Sequence, residues 1–157
     1  MAVGADQYRA AGRLFASGVT VVTVARGDES FHGMTATAVA FVSLDPPLLL
    51  VCLEKESRTR ALVERHGRFA VNVLSADQEP VAKAFALAGD KSFEGIPHHL
   101  DDARSPLLDD SLASLSCKTT DIVEAGDHGI FVAEVLSVET RPGKPLVYFD
   151  RSYHRLD

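Results

Sequence analysis

Val19-Thr20-Val21-Val22-Thr23-Val24 is a six-residue run built almost wholly of β-branched residues. Such side chains are stiff at χ1 and favour a pleated surface over a helix. The run closes at Arg26-Gly27-Asp28-Glu29, whose Gly-Asp pair is turn chemistry, so a strand and a hairpin turn are predicted. Similar signals recur along the chain. Residues 31–42 are rich in Thr, Ala and Val, and Pro46-Pro47 separates them from Leu48-Leu49-Leu50-Val51-Cys52-Leu53. Phe69-Ala70-Val71-Asn72-Val73-Leu74, residues 112–123, residues 129–140 and Leu146-Val147-Tyr148-Phe149 complete the set. In residues 130–136 both alternating faces are mostly apolar, which predicts a strand covered on both sides.

Helical spacing is confined to three short stretches. Tyr8, Ala11, Leu14 and Phe15 fall on one stripe over residues 6–16, before a stop at Ser17-Gly18. Residues 58–66 follow Ser57 and end at Gly67, and residues 80–88 begin with Pro80 at a tolerated first-turn position. Residues 89–111 have little periodicity and are predicted as a long surface loop. Six or seven strands without regular βα alternation predict a mainly β fold, a closed or nearly closed antiparallel barrel with helical insertions. The length of 157 residues fits one domain over residues 1–157.

Composition removes several function classes. Sixteen basic against 22 acidic residues give a net charge of −6, so no broad field would gather a nucleic acid, although a local pocket for one phosphate is allowed. The longest clean apolar run is eight residues, Pro46 to Leu53, well short of the roughly 18–20 that cross a bilayer. The first nine residues carry an acid before the first base and no apolar core, so they do not read as a signal peptide. Cys52 and Cys117 are 65 positions apart in apolar contexts, which fits a reducing cytoplasm. There is no GxGxxG after a strand, no GxxxxGK[ST] and no GxSxG. His98-His99 with Asp101-Asp102 lacks metal-ligand spacing and reads as a solvated loop, and Asp109-Asp110 as a turn.

Four segments carry chemistry. Small residues at Thr35-Ala36-Thr37-Ala38 would let a flat ring approach the backbone closely; the same residues also suit an ordinary strand. Ser57-Arg58-Thr59-Arg60 puts hydroxyls and arginines at a helix start, where N–H groups and the helix dipole favour a phosphate; Ser57 is equally a plain N-cap. Gly126-Asp127-His128-Gly129 leaves a histidine unobstructed at a strand start, or is a hairpin turn with a surface histidine. Tyr148-Phe149-Asp150-Arg151-Ser152-Tyr153 sets an arginine between tyrosines, able to clamp a planar or anionic ligand or to pack as a terminal strand.

In this order the segments resemble the short-chain flavin reductases with a split β-barrel FMN-binding fold, the reductase partners of two-component flavin monooxygenases. The likeness runs from about Ala10 to Tyr153 and rests on Gly33-Met34-Thr35-Ala36, the 43–47 stretch with its paired prolines, residues 69–74, Gly126-Asp127-His128 and the 148–153 block. The resemblance implies FMN or FAD as flavin, NADH or NADPH as hydride donor, and a homodimer with flavin sites near the subunit interface. It implies that Thr35, Ala36, Thr37 and Ala38 border the isoalloxazine, with Ser43 in the adjoining stretch. Cys52, Leu53 and Glu54 would lie beside the ring and ribityl chain, and Ser57, Arg58 and Thr59 would hold the phosphate. Phe85, Lys91 and Phe93 match an aromatic and a lysine near the flavin, with one residue between Lys91 and Phe93 where the family commonly has none. His128 matches the histidine near the nicotinamide, and Tyr148, Arg151 and Tyr153 match a block close to the active site. The resulting expectation is a hydride transfer to flavin and delivery of reduced flavin to a separate monooxygenase. The alternative is a flavin store or electron carrier on the same barrel without NAD(P)H turnover; a third reading is an interaction barrel without cofactor.

Overall fold

The structure, a computed structural model, describes residues 2–89 and 93–157. In chain order the elements are α1 (Ala5–Arg13), β1 (Ser17–Gly18), β2 (Thr20–Ala25), β3 (Phe31–Ala36), β4 (Val39–Leu44) and β5 (Pro47–Glu54). There follow α2 (Arg58–His66), β6 (Arg68–Val73), α3 (Glu79–Ala86), β7 (His98–Leu100) and β8 (Pro106–Leu108). The last are β9 (Ala113–Ala125), β10 (His128–Thr140), β11 (Leu146–Phe149) and β12 (Ser152–Arg155).

The predicted strand over residues 31–42 is two strands, and the reason organises the molecule. β3 and β4 form the opposite edges of a seven-stranded antiparallel sheet ordered β3-β2-β6-β9-β10-β5-β4. Only Thr37 and Ala38 join them in sequence. The sheet must therefore coil until its two edges nearly meet, giving an antiparallel split barrel. The link is held on each side by its neighbouring strand: Thr20 Oγ1 of β2 donates to Ala36 O at 2.7 Å and Cys52 N–H of β5 donates to Ala38 O at 3.0 Å.

Two apolar clusters fill the fold. Val22, Val24, Leu49, Val51, Leu53, Phe69, Val71 and Phe131 occupy the barrel interior, with Val63 of α2 against them. Val19, Val21, Leu74, Leu108 and Leu146 pack with Ala82 and Phe85 of α3 in the second cluster. β2 is thus buried on both faces, which is why its sequence shows no polar alternation.

Three expectations need correction. The described part of residues 89–111 is not a structureless loop: β7 pairs with β8, and Leu107 and Leu108 are buried. Three-residue strands are too short to show a period. β10 is not covered on both sides, because Phe131 and Ala133 are buried while Leu136 and Val138 are exposed. Leu146-Val147-Tyr148-Phe149 leaves the barrel and forms a separate three-stranded sheet with β1 and β12.

Candidate active site

β3, the start of α2, the end of α3 and the β11–β12 hairpin enclose a cleft of 720 Å³, within the usual size of a small-molecule or cofactor site. Thr35, Thr37, Glu54, Ser57, Arg58, Thr59, Phe85, Tyr148 and Tyr153 line it. Residues from four separate parts of the chain are thereby brought to one surface.

α2 has nine residues, and its first turn opens on this cleft. Ser57 is the N-cap; its hydroxyl accepts the Arg60 N–H at 3.1 Å. The first turn contains no acidic residue of its own and the last turn holds Arg65 and His66, so nothing in the first turn neutralises the positive end of the dipole. Glu54 and Glu56 also line the cleft and set a limit on its positive charge.

His32 and Met34, which sequence reasoning missed, line the same cleft. His32 is buried and its Nε2 shares a 2.8 Å hydrogen bond with Thr59 Oγ1. Thr59 is itself buried, so its hydroxyl is oriented by the imidazole. Thr35 Oγ1 donates to Ala82 O at 2.7 Å, tying β3 to α3. A Cβ on Gly33 would stand 2.7 Å from two atoms of the Phe85 ring. Glycine there lets the ring lie flat on the strand and form the cleft wall.

The remaining predicted residues lie elsewhere. Ala38 and Cys52 line an adjoining hollow of 380 Å³ that also touches Thr37. Arg151 lines another, of 290 Å³, which shares Thr37 and Tyr148 with the main cleft. Ala36 and Leu53 turn into the barrel core, because successive strand residues face opposite ways and their neighbours Thr37 and Glu54 take the cleft side. Ser43 of β4 lines none of these hollows. Phe93 stands behind the wall, its ring centroid 5.1 Å from that of Phe85 and 5.7 Å from that of Phe31. Lys91 lies outside the described residues.

His128 begins β10, opposite Glu54 in the β5–β10 register and outside the cleft lining. Its Nδ1–H donates to Asp127 Oδ1 at 2.7 Å, and this bond holds the Asp127 carboxyl below the usual range. The turn before it is anchored to the helix start. Lys55 N–H donates to Asp127 O at 3.0 Å, and Arg60 bridges Glu64 and Glu124 while lying 5.7 Å from the Phe131 ring centroid. A Cβ on Gly129 would come within 2.9 Å of the Arg60 guanidinium, so the glycine leaves its path open. Arg60 is thus committed to structure rather than to an anion.

The cleft has a flat aromatic and small-residue wall, and a helix start with hydroxyls and a cation at one end. A planar ring system carrying a phosphate matches that arrangement.

The sequence matches the flavin reductase like domain over residues 11–157. The chain belongs to that family. This flavin reductase family member is 38% identical over 156 residues to an NADH:riboflavin 5′-phosphate oxidoreductase of Streptomyces pristinaespiralis, covering 98% of this chain and 89% of that one. It is 40% identical over 136 residues to the reductase component of a 4-nitrophenol 4-monooxygenase/4-nitrocatechol 2-monooxygenase of Rhodococcus opacus, covering 86% and 72% of the two chains. A longer protein of Rhizobium meliloti (strain 1021) is 43% identical over 125 residues; the match spans 80% of this chain and 40% of that protein. Among solved structures, the NADH:FAD oxidoreductase of Streptomyces globisporus C-1027 in complex with NAD and FAD fragments superposes with a TM-score of 0.91 at 33% identity, covering 97% of this chain and 92% of that one.

Proposed function

We propose that this protein, a single split-barrel domain, is an NAD(P)H-dependent flavin reductase that transfers a hydride to FMN or FAD and releases reduced flavin to a separate monooxygenase. The observation that carries the reading is the cleft itself, in which Thr35, Thr37, Phe85 and Tyr148 form walls and Ser57, Arg58 and Thr59 stand at one end. The flavin supplies the electron acceptor and the dihydronicotinamide the hydride. The chain's residues bind and orient. Ser57, Arg58 and Thr59 would hold the 5′-phosphate, with the Thr59 hydroxyl set by His32. His128, whose Nδ1 is engaged by Asp127, would serve the nicotinamide through its Nε2.

Further observations support delivery to a monooxygenase, a reducing compartment and a homodimer as parts of this reading. The Rhodococcus opacus relative is named as a monooxygenase reductase component, and no helix among the described residues is long and apolar enough to cross a membrane. Both cysteines are free thiols, which suits the reducing cytoplasm. Phe41, Val42 and Leu44 on β4 and Leu136 and Val138 on β10 are exposed, and a homodimer would cover them.

Steady-state NADH and NADPH oxidation with FMN, FAD and riboflavin in parallel tests the reading. The expected result is turnover that depends on the 5′-phosphate. Replacing His128 with Ala is expected to slow flavin reduction or weaken NAD(P)H binding by about 10²-fold or less. No oxidation with any flavin would refute it.

A further inference from the structure

The charges that line the cleft are not those of a seat built only to attract a phosphate. Among the described residues its acidic and guanidinium side chains are Glu54, Glu56 and Arg58, two carboxylates against one cation. All three are exposed. Glu54 ends β5 and Glu56 immediately precedes the N-cap Ser57. Ser57 N–H donates to Glu54 O at 3.1 Å, closing a turn that draws the end of the strand back beside the first turn of α2. Both carboxylates therefore stand next to the helix start.

The nearest basic side chains do not neutralise them. Lys55 pairs with Glu124 at 3.5 Å, and Arg60 bridges Glu64 and Glu124. Among the described residues neither Glu54 nor Glu56 forms an ion pair. Acidic groups before a helix also stabilise its positive end. That role needs only the helix, and it does not require the carboxylates to line a cleft of 720 Å³.

A phosphate monoester carries about −1.5 to −2 charges at neutral pH. At the α2 start it gains from backbone N–H groups, the helix dipole and Arg58, and it is opposed by two carboxylates on the same wall. We propose that Glu54 and Glu56 are specificity-determining residues that limit the advantage the 5′-phosphate gives FMN over riboflavin. The hydroxyls and N–H groups still orient the phosphate, while the carboxylates lower its net attraction. The inference rests on the flavin reductase reading for the identity of the ligand.

The test is flavin binding followed by fluorescence quenching, with FMN and riboflavin titrated into the wild type, Glu54→Gln, Glu56→Gln and the double variant. Glutamine keeps the size and removes the charge, and both positions are exposed. FMN is expected to bind each single variant about fivefold tighter and the double variant more than about tenfold tighter, with riboflavin within about twofold of wild type. At about 1 M salt, where the Debye length is about 3 Å, the FMN gain is expected to shrink to about twofold or less. A role confined to the helix end predicts a lower melting temperature and no separation of the two flavins. Unchanged FMN affinity in the double variant, riboflavin tightening in step with FMN, or a gain that survives salt would overturn the assignment. If one of these occurs while the wild type oxidises NADH with added flavin, the proposal falls and the flavin reductase reading stands. A wild type that neither binds nor reduces any flavin sinks both.

Discussion

At the scale of single residues, Gly33 makes the sharpest demand. Gly33→Ala drives a methyl group into the Phe85 ring, whose nearest atoms stand 2.7 Å from the Cβ position. Since Phe85 is packed against Phe93 and buried, the ring has little room to yield. A loss of about 1–3 kcal/mol is expected in denaturant unfolding, with a raised KM for flavin because the cleft wall moves. An unchanged midpoint and KM would show that the wall is softer than described. His99 sets a pH dependence. Its Nδ1 bonds Asp109 at 2.6 Å and its Nε2 bonds Glu139 at 2.9 Å; the Asp109 bond is the larger cause of a raised pKa, and burial works against it. Asp110 and Arg141 face the same hollow. A histidine held above its unfolded value of about 6.5 stabilises fully below that pH and loses its contribution as pH rises through the folded value. The melting temperature of the wild type is therefore expected to fall across this window relative to His99→Gln. Parallel curves for the two proteins would remove the clasp from the account.

These residues also mark what can be read from sequence. Thr35, Thr37, Ser57, Arg58 and Thr59 line one cleft, and each is readable as a candidate because it sits in a short segment whose chemistry is local. The side chains of Ala36 and Leu53 lie in the barrel core, because a strand turns every second side chain to the other face, and a segment read as a unit does not show this. His32 was invisible as a site residue, since its meaning depends on Thr59, 27 positions away.

At the scale of elements, Asn72 joins three strands and a loop strand. Its Nδ2 donates to Val21 O and to Thr23 Oγ1, both at 3.0 Å, and its Oδ1 accepts from Leu108 N–H and Ser114 Oγ, both at 2.9 Å. The residue is fully buried. Asn72→Ala leaves these groups without their partner, and a loss of about 3 kcal/mol is expected in chemical denaturation. A loss below about 1 kcal/mol would mean that water or rearrangement satisfies them. In sequence, Asn72 was one polar residue within an apolar strand. The short β7–β8 pair that it anchors through Leu108 was unreadable for the same reason, as three residues show no alternation.

At the scale of the molecule, the split barrel follows from one local event, the break at Thr37 and Ala38 that sends consecutive strands to opposite sheet edges. The count of strands and the lack of βα alternation made a barrel legible; the seam was not, because residues 35–38 look equally strand-like. The exposed side chains belong to this scale as well. Phe15 is 82% exposed, Phe41 73% and Leu44 93%. Light scattering behind size exclusion is expected to give twice the chain mass, with Leu44→Glu shifting it toward the monomer. A monomeric wild type at micromolar concentration would refute a dimer built on this face.

The most direct measurement is a crystal structure of the protein grown with FMN. The phosphate is expected within hydrogen-bond distance of Ser57 and the α2 first turn, and the ring against Thr35 and Thr37. Electron density for FMN in another hollow, or its phosphate away from α2, would contradict it.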